Sequence, residues 1–379
     1  MTETLAYSGS LWEARARDVF WGERLQVARE FKGLTQKEVS EAVSASTALV
    51  SLCEAGKKNP SRDLVEAFGS VLGFEPEFFY GEIEDVFREE QCSFRHRRST
   101  PERTKNKIRA HATLIGMVIA QLKLLFRFPA QDIPHIPASV SSAEEIEAAA
   151  EQCRTHWKLS LDSPLMQICR AMEHAGVIVV PHLAESKKVD AFSRCGPTAI
   201  IFLNQTIRST SRWNFDIAHE CGHLVMHPGI HTGSVETEMA ANRFASAFLL
   251  PRKAFARDFR VASFSWPHIF ALKRRWRASA SAIVRRAYEL GLLGAVEYRK
   301  ACKHMAWKGW PTHGEPEEPS FQEPEVLATA LNSLGTRIEL TVEALCKQLH
   351  FNADTFKEIT GVVVSPSSPN KVEPIPFPR

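Results

Sequence analysis

The sequence predicts a mainly α-helical chain carrying one small β-sheet. Apolar residues recur at helical spacing through most of its length. Two short runs, GVIVV at 176–180 and AIIFL at 199–203, are rich in the β-branched residues that suit a sheet. The 379 residues are 44% hydrophobic and 24% charged, a balance that excludes collagen-like and wholly disordered chains. The length suggests two or three domains. A net charge of +3, from 47 basic and 44 acidic residues, points to nucleic acid only if the basic residues cluster.

Eight scattered cysteines without a C-x-x-C pair exclude a zinc ribbon and argue against a disulfide scaffold. Residues 1–11 lack the basic-then-apolar pattern of a signal peptide. The longest apolar run, 113–128, is short and contains Gln121, Lys123 and Arg127, so no membrane span is expected. A reducing cytoplasm is the expected compartment.

Punctuation divides the chain into 12–81, helical with breaks at Gly33, Gly56 and Gly73; a basic linker, 82–110; a mixed segment, 111–307; a Pro/Glu-rich linker, 308–325; and a helical C-terminal region, 326–379, whose helices fall near 327–334 and 338–361 before a Ser/Pro tail. In the first segment, Thr35 and Glu38 have the spacing of a capping box. Leu34, Val39, Ala42 and Val43 supply one apolar face, and Ser44-Ala45-Ser46 breaks the helix and caps another. Leu49, Val50 and Cys53 face inward there, leaving Ser46, Thr47, Ala48, Ser51 and Leu52 on the outer side. Any small helical bundle shows such periodicity. The residues Leu34, Gln36, Glu38, Val39, Val43, Ser46, Val50, Ser51, Glu54, Gly56, Lys57 and Pro60-Ser61, however, resemble the XRE/Cro-type helix-turn-helix regulators over about 25–79. That resemblance implies double-stranded DNA as a partner, with Gln36, Ser46, Thr47 and Ala48 near bases and phosphates, Ser51 further along the same face, and Lys57 and Lys58 on phosphates. No Arg or Lys lies between Ser44 and Glu54, so readout would use small polar and apolar contacts, and a homodimer on a palindromic operator is expected.

The stretch 214–227, NFDIAHECGHLVMH, contains H-E-x-x-H at His219, Glu220 and His223. Positions i and i+4 share a helix face, so both imidazoles can reach one zinc ion, and Glu220 then lies beside the attacking water. The third ligand is less local. His227 continues the row one turn on, where three ligands from one straight helix converge poorly, so a supporting or core role suits it better. The metzincin position holds Gly229, and His231 is two residues too late. A Glu on the next helix, about 15 residues beyond His223, suits a two-His, one-Glu site.

HECGHLVMH, ExxANRFASAFLLP, VDAFS (189–193) and IIFLN (200–204) together resemble the ImmA/IrrE family of metallo-endopeptidases, over about 143–293. The resemblance implies a zincin-like α+β domain, Zn2+ as cofactor, Glu220 as the catalytic carboxylate and Glu238 as third ligand, with Glu236 as fallback. It also suggests that Arg212 and Trp213 support the site, though core packing is the simpler role for Trp213. Residues 252–300 hold twelve basic residues against three acidic ones, a run that most often forms a solvated helix face and less often meets DNA or an acidic partner.

The expected protein is therefore an N-terminal all-α DNA-binding domain joined to a zinc metallopeptidase domain and a helical C-terminal region. By resemblance, it would cleave itself, with the linker at 94–107 as one candidate, or a partner repressor, in response to stress, phage or mobile-element signals. The alternatives are a repressor whose zinc domain senses or scaffolds without cutting, and a toxin–antitoxin-type regulator acting through the C-terminal region.

Overall fold

The structure is a computed structural model describing residues 19–83, 86–87, 92–96, 101–182, 189–204, 209–230, 232–260, 263–320, 322–334 and 341–361. Parts of the expected linker (97–100), His231 and the Ser/Pro tail (362–379) thus lie outside the described residues. In chain order the elements are α1 (Gly22–Phe31), α2 (Gln36–Ala42), α3 (Thr47–Glu54), α4 (Arg62–Leu72), β1 (Cys92–His96), α5 (Glu102–Leu125), α6 (Ala143–His156), α7 (Ile168–His174), β2 (Ile178–His182), β3 (Val189–Arg194), β4 (Ile200–Asn204), α8 (Thr210–Met226) and α9 (Val235–Leu249). They continue as α10 (Arg252–Phe259), α11 (Trp266–Trp276), α12 (Ala280–Glu289), α13 (Ala295–Trp307), α14 (Trp310–His313), α15 (Val326–Asn332), α16 (Val342–Leu349) and α17 (Ala353–Thr360). The fold is mostly helical with a small mixed sheet, as the sequence predicts.

The chain forms two compact units, one of Met1–Arg88, Pro101–Arg127 and Ala328–Arg379, the other of Glu89–Thr100 and Phe128–Leu327. In the first, local chemistry sets the helix ends. The Thr35 hydroxyl accepts from the Glu38 amide, and the Glu38 carboxylate accepts from the Thr35 amide, so the capping box forms. Ser46 and Ser61 cap α3 and α4 by accepting from Leu49 N–H and Leu64 N–H. Leu25, Ala28, Val39, Val50, Cys53 and Phe68 fill the core, while Ala42, expected on the apolar face, is exposed. Gly22 lets α1 meet the end of α3, because a Cβ there would clash with the backbone carbonyls of Cys53 and Glu54.

Two features of this unit differ from the sequence segmentation. The expected boundary at 110/111 falls inside α5, one continuous helix. By length and composition α5 could cross a membrane, yet Leu114, Ile115, Val118 and Leu122 are wholly buried in this unit. The C-terminal helices also belong here. His111 Nε2 on α5 lies 2.6 Å from the Ile359 carbonyl, Thr355 donates to the Gly73 carbonyl, and Phe351 packs edge-on to Phe74. Periodicity reveals an apolar face but not its partner. The expected single run 338–361 is two helices, broken at His350, whose φ is 56°, with Asn352 capping α17.

In the second unit the strand order is β1-β3-β4-β2. β2 runs parallel to β4, β3 is antiparallel to β4, and β1 is antiparallel to β3. β1 was expected to be linker. Its sequence, CSFRH, has neither β-branched residues nor clean alternation, so only pairing with β3 reveals it. Helices α8 and α9 pack on each other, with α6 against α9 and α8 against β3 and β4. Buried cations fix these layers. Arg154 on α6 donates to the Phe248 carbonyl on α9 and to the Ser160 and Ser163 carbonyls. Arg286 on α12 forms a bidentate pair with Glu147 on α6 and donates to Leu250 O at 3.0 Å.

The basic run 252–300 is largely paired rather than a bare solvated face. Fully buried Lys273 meets Glu315 at 2.8 Å and Glu318 at 2.6 Å, and Arg275 and Arg285 pair with Asp258 and Glu289. Glu318 also accepts from the Ser211 amide and hydroxyl, so the Pro/Glu-rich linker is fastened to the start of α8.

Glu147→Ala strips Arg286 of its buried partner and is expected to cost the fold about 3 kcal/mol. Urea unfolding checks this, and a loss below about 1 kcal/mol would mean that Arg286 finds another partner or water. His111 supplies a pH test. Burial pushes its pKa down, partly opposed by the Ile359 carbonyl and by Glu358, while Lys107 adds to the lowering. The unfolded chain then binds the extra proton, so this contribution is whole above about pH 6.5 and is lost as pH falls below it. His111→Gln should flatten the pH dependence of the melting temperature between pH 7 and 5, and an unchanged slope would contradict the assignment.

Candidate metal centre and nucleic-acid interface

The candidate metal centre is built by two helices. On α8, Ser209 caps the start by accepting from Arg212 N–H, and Trp213, buried, donates to the Asn204 carbonyl at the end of β4. This fixes the helix against the sheet and makes Trp213 a core residue. His219 and His223, one turn apart, are both buried, with their Nε2 atoms 3.1 Å apart. On α9, Ser234 caps the first turn, where Glu238 sits. Its Oε2 lies 3.3 Å from His219 Nε2 and its Oε1 3.3 Å from His223 Nε2. One donor atom from each of His219, His223 and Glu238 falls within 4.8 Å of the other two. Glu236 is exposed and outside this group.

Gly222 permits the approach. A Cβ on it would stand 3.0–3.2 Å from the Phe244 side chain, tighter than ordinary packing allows without displacement. A glycine inside a helix costs about 1 kcal/mol relative to alanine, and here it lets α9 lie close enough for Glu238 to face both imidazoles.

The surrounding hydrogen bonds orient the imidazoles. His219 Nδ1 lies 3.2 Å from Asn242 Oδ1, which accepts from it and leaves Nε2 as the nitrogen that faces the cluster. His223 Nδ1 lies 3.0 Å from His227 Nδ1, so His227 buttresses His223 from outside the cluster, the supporting role that its sequence position suggested. Burial pushes the Glu238 carboxyl up, but hydrogen bonds and charge from His219 and His223 outweigh it and hold the group well below the usual carboxylate range. Burial, with His223 adding to it, lowers His227 to about 4 against an opposing pull from Glu238. Two imidazole nitrogens and a carboxylate converge here, where protons or a divalent cation must lie between them. This donor set of two nitrogens and one oxygen fits a divalent ion such as zinc.

Glu220 is fully buried, and its Oε2 accepts from the Ser193 hydroxyl on β3 at 2.6 Å. Sequence reasoning assigned no role to Ser193 or Asn242, which reach the centre across 27 and 23 residues of chain. Cys221 is buried and points away into the core, where burial and a hydrogen bond with Cys153 raise its thiol pKa.

At the other candidate interface, α3 exposes Thr47, Ala48, Ser51 and Leu52, with Ser46 at its cap and Lys57 and Lys58 just beyond its end. Ser46 spends its hydroxyl lone pair on Leu49 N–H, and the Thr47 hydroxyl meets Ser40 at 2.9 Å. Half-buried Gln36 donates to Glu54, which Arg29 also grips at 2.5 and 3.0 Å. This triad ties α1, α2 and α3 together.

Two family models match the chain. Residues 22–77 match a helix-turn-helix domain, and residues 172–288 match the peptidase M78 family, described as an IrrE N-terminal-like domain. No curated protein matches it. Residues 22–77 thus match a helix-turn-helix domain and residues 172–288 an IrrE-like domain, the two kinds of domain that the sequence resemblance implied. The first match supports DNA binding and the second a metallopeptidase.

Gly222→Val should wedge Phe244 away and weaken zinc binding at least tenfold, measured by competition with a chromophoric chelator. Wild-type affinity in a folded variant would remove the close approach as the reason for the site.

Proposed function

We propose that this chain is a DNA-binding regulator whose second unit is a zinc-dependent endopeptidase acting on a repressor-type protein, either itself or a partner at the same operator. The observation that carries the reading is the convergence of His219, His223 and Glu238, with the buried Glu220 next to His219 in the chain. These three residues would hold the ion. A zinc ion bound there supplies Lewis acidity toward a peptide carbonyl and its attacking water. Glu220 takes up a proton from that water and returns one to the leaving amine. Ser193 holds Oε2 and so orients the carboxylate for that transfer. Asn242 and His227 keep the two imidazoles in the tautomer that presents Nε2.

In the DNA-binding unit, the N-terminal end of α3 would enter the major groove, with Thr47, Ala48 and Ser51 toward base edges and Ser46, Lys57 and Lys58 toward phosphates. Gln36 would stand at the rim of that surface, its amide nitrogen already committed to Glu54. Two copies on a palindrome supply the affinity that one arginine-free reading helix lacks.

Two experiments check the assignment. The zinc-loaded chain, incubated with a repressor-type helix-turn-helix protein, should yield discrete fragments of that protein or of itself. Glu220→Gln should lower the rate at least a hundredfold while still binding zinc. Intact chains under every condition would favour the reading in which the zinc unit senses or scaffolds. Lys57→Ala should weaken binding to all duplex sequences alike and reduce the salt slope by about 1. An unchanged slope in fluorescence anisotropy would remove Lys57 from the phosphate contacts.

A further inference from the structure

Strand β1 has no part in the reading above, although it lies beside the residues that carry it. It comes from a stretch expected to be open linker, yet Cys92, Ser93 and Phe94 pair antiparallel with Arg194, Ser193 and Phe192, and His96 pairs with Val189 beyond a register shift. In the order β1-β3-β4-β2, removal of β1 would make β3 an edge strand. An edge presents unpaired N–H and C=O groups and takes up an extended chain, its own or another's. β3 is also the strand whose Ser193 hydroxyl holds Glu220 at 2.6 Å. Opposed residues of an antiparallel pair have Cα atoms about 4.5–5.5 Å apart. The backbone at Ser93 therefore runs one strand spacing from the residue that holds Glu220.

We propose that Cys92–His96 is a resident occupant of a peptide-docking edge on β3, a strand of the same chain that competes with any extended peptide for that edge. A peptide adds antiparallel to β3 only when β1 leaves. β1 suits exchange. It has five residues, none of them β-branched, and its register breaks between Phe94 and His96. The significance of the competition for catalysis rests on the endopeptidase reading, whereas the strand exchange does not.

Hydrogen exchange on the full-length chain tests it, with a synthetic peptide of residues 91–97 as the probe. In the wild type, backbone amides of 93–96 and of 191–194 should exchange at least tenfold more slowly than free chain. The double variant Ser93→Pro/Phe94→Pro, which removes ladder donors, should speed exchange at 191–194 at least tenfold and bind the peptide at least tenfold more tightly than the wild type. Arg95→Ala, at the register break, should behave as the wild type. Free-chain exchange at 93–96 in the wild type, a measurement independent of whether the double variant folds, would overturn the proposal. So would equal peptide affinity in wild type and a folded double variant. Docking as described without cleavage of the zinc-loaded sample would leave the proposal standing and remove the endopeptidase reading. Cleavage of an added peptide at equal rates by wild type and folded double variant would do the reverse.

Discussion

A Cβ at position 222 on α8 would stand 3.0–3.2 Å from the Phe244 side chain on α9, so Phe244 would have to give by a few tenths of an ångström. The candidate metal centre lies where these two helices pack closely, an approach that the glycine accommodates. His219 and His223 come from one helix and Glu238 from the other, so the three donors meet only while the two helices stay close. The rest of the unit reads as support for this contact. Arg154 ties α6 to the end of α9, and Arg286 reaches from α12 to Glu147 and to the Leu250 carbonyl just after α9. Trp213 fixes α8 to β4, and Glu318 fastens the chain after α14 to Ser211 and Lys273. Buried charges of this kind are costly to leave unpaired, so each contact opposes movement of the elements that it joins.

The same logic, at smaller scale, shapes the helix-turn-helix unit. Glu54 collects Arg29 and Gln36, so three helices share one carboxylate at the base of α3. The outer face of α3 is left small and nearly uncharged. The mild positive balance of the whole chain is therefore a poor guide to function. Much of the basic run 252–300 is spent on ion pairs within its own unit, Lys273 and Arg286 being buried.

What could be read from the sequence was what is local. The capping box at Thr35 and Glu38 spans one turn and forms as spaced. His219 and His223 share a face because a helix repeats every 3.6 residues, and His227 falls next in the same row. Glu238 needed resemblance to a known family, because spacing alone left the choice of carboxylate open. Ser193 and Asn242 lay within runs that carried the family resemblance, but their roles stayed unread, since a serine in a strand and an asparagine in a helix acquire them only through tertiary packing. β1 was hidden because CSFRH lacks the residues that mark strands, and its stability is borrowed from β3. The union of α5, α16 and α17 with the helix-turn-helix was hidden because periodicity gives a helix its buried face but not its neighbour.

The central claim is that two imidazoles and one carboxylate hold a divalent ion. X-ray absorption at the zinc edge of the zinc-loaded chain tests it most directly. The expected spectrum has only nitrogen and oxygen neighbours at about 2.0–2.2 Å, with the multiple scattering of two imidazoles. It should lose one imidazole in His223→Ala and one oxygen neighbour in Glu238→Ala. A sulfur shell at about 2.3 Å, or a spectrum unchanged by either substitution, would place the ion elsewhere and contradict the account.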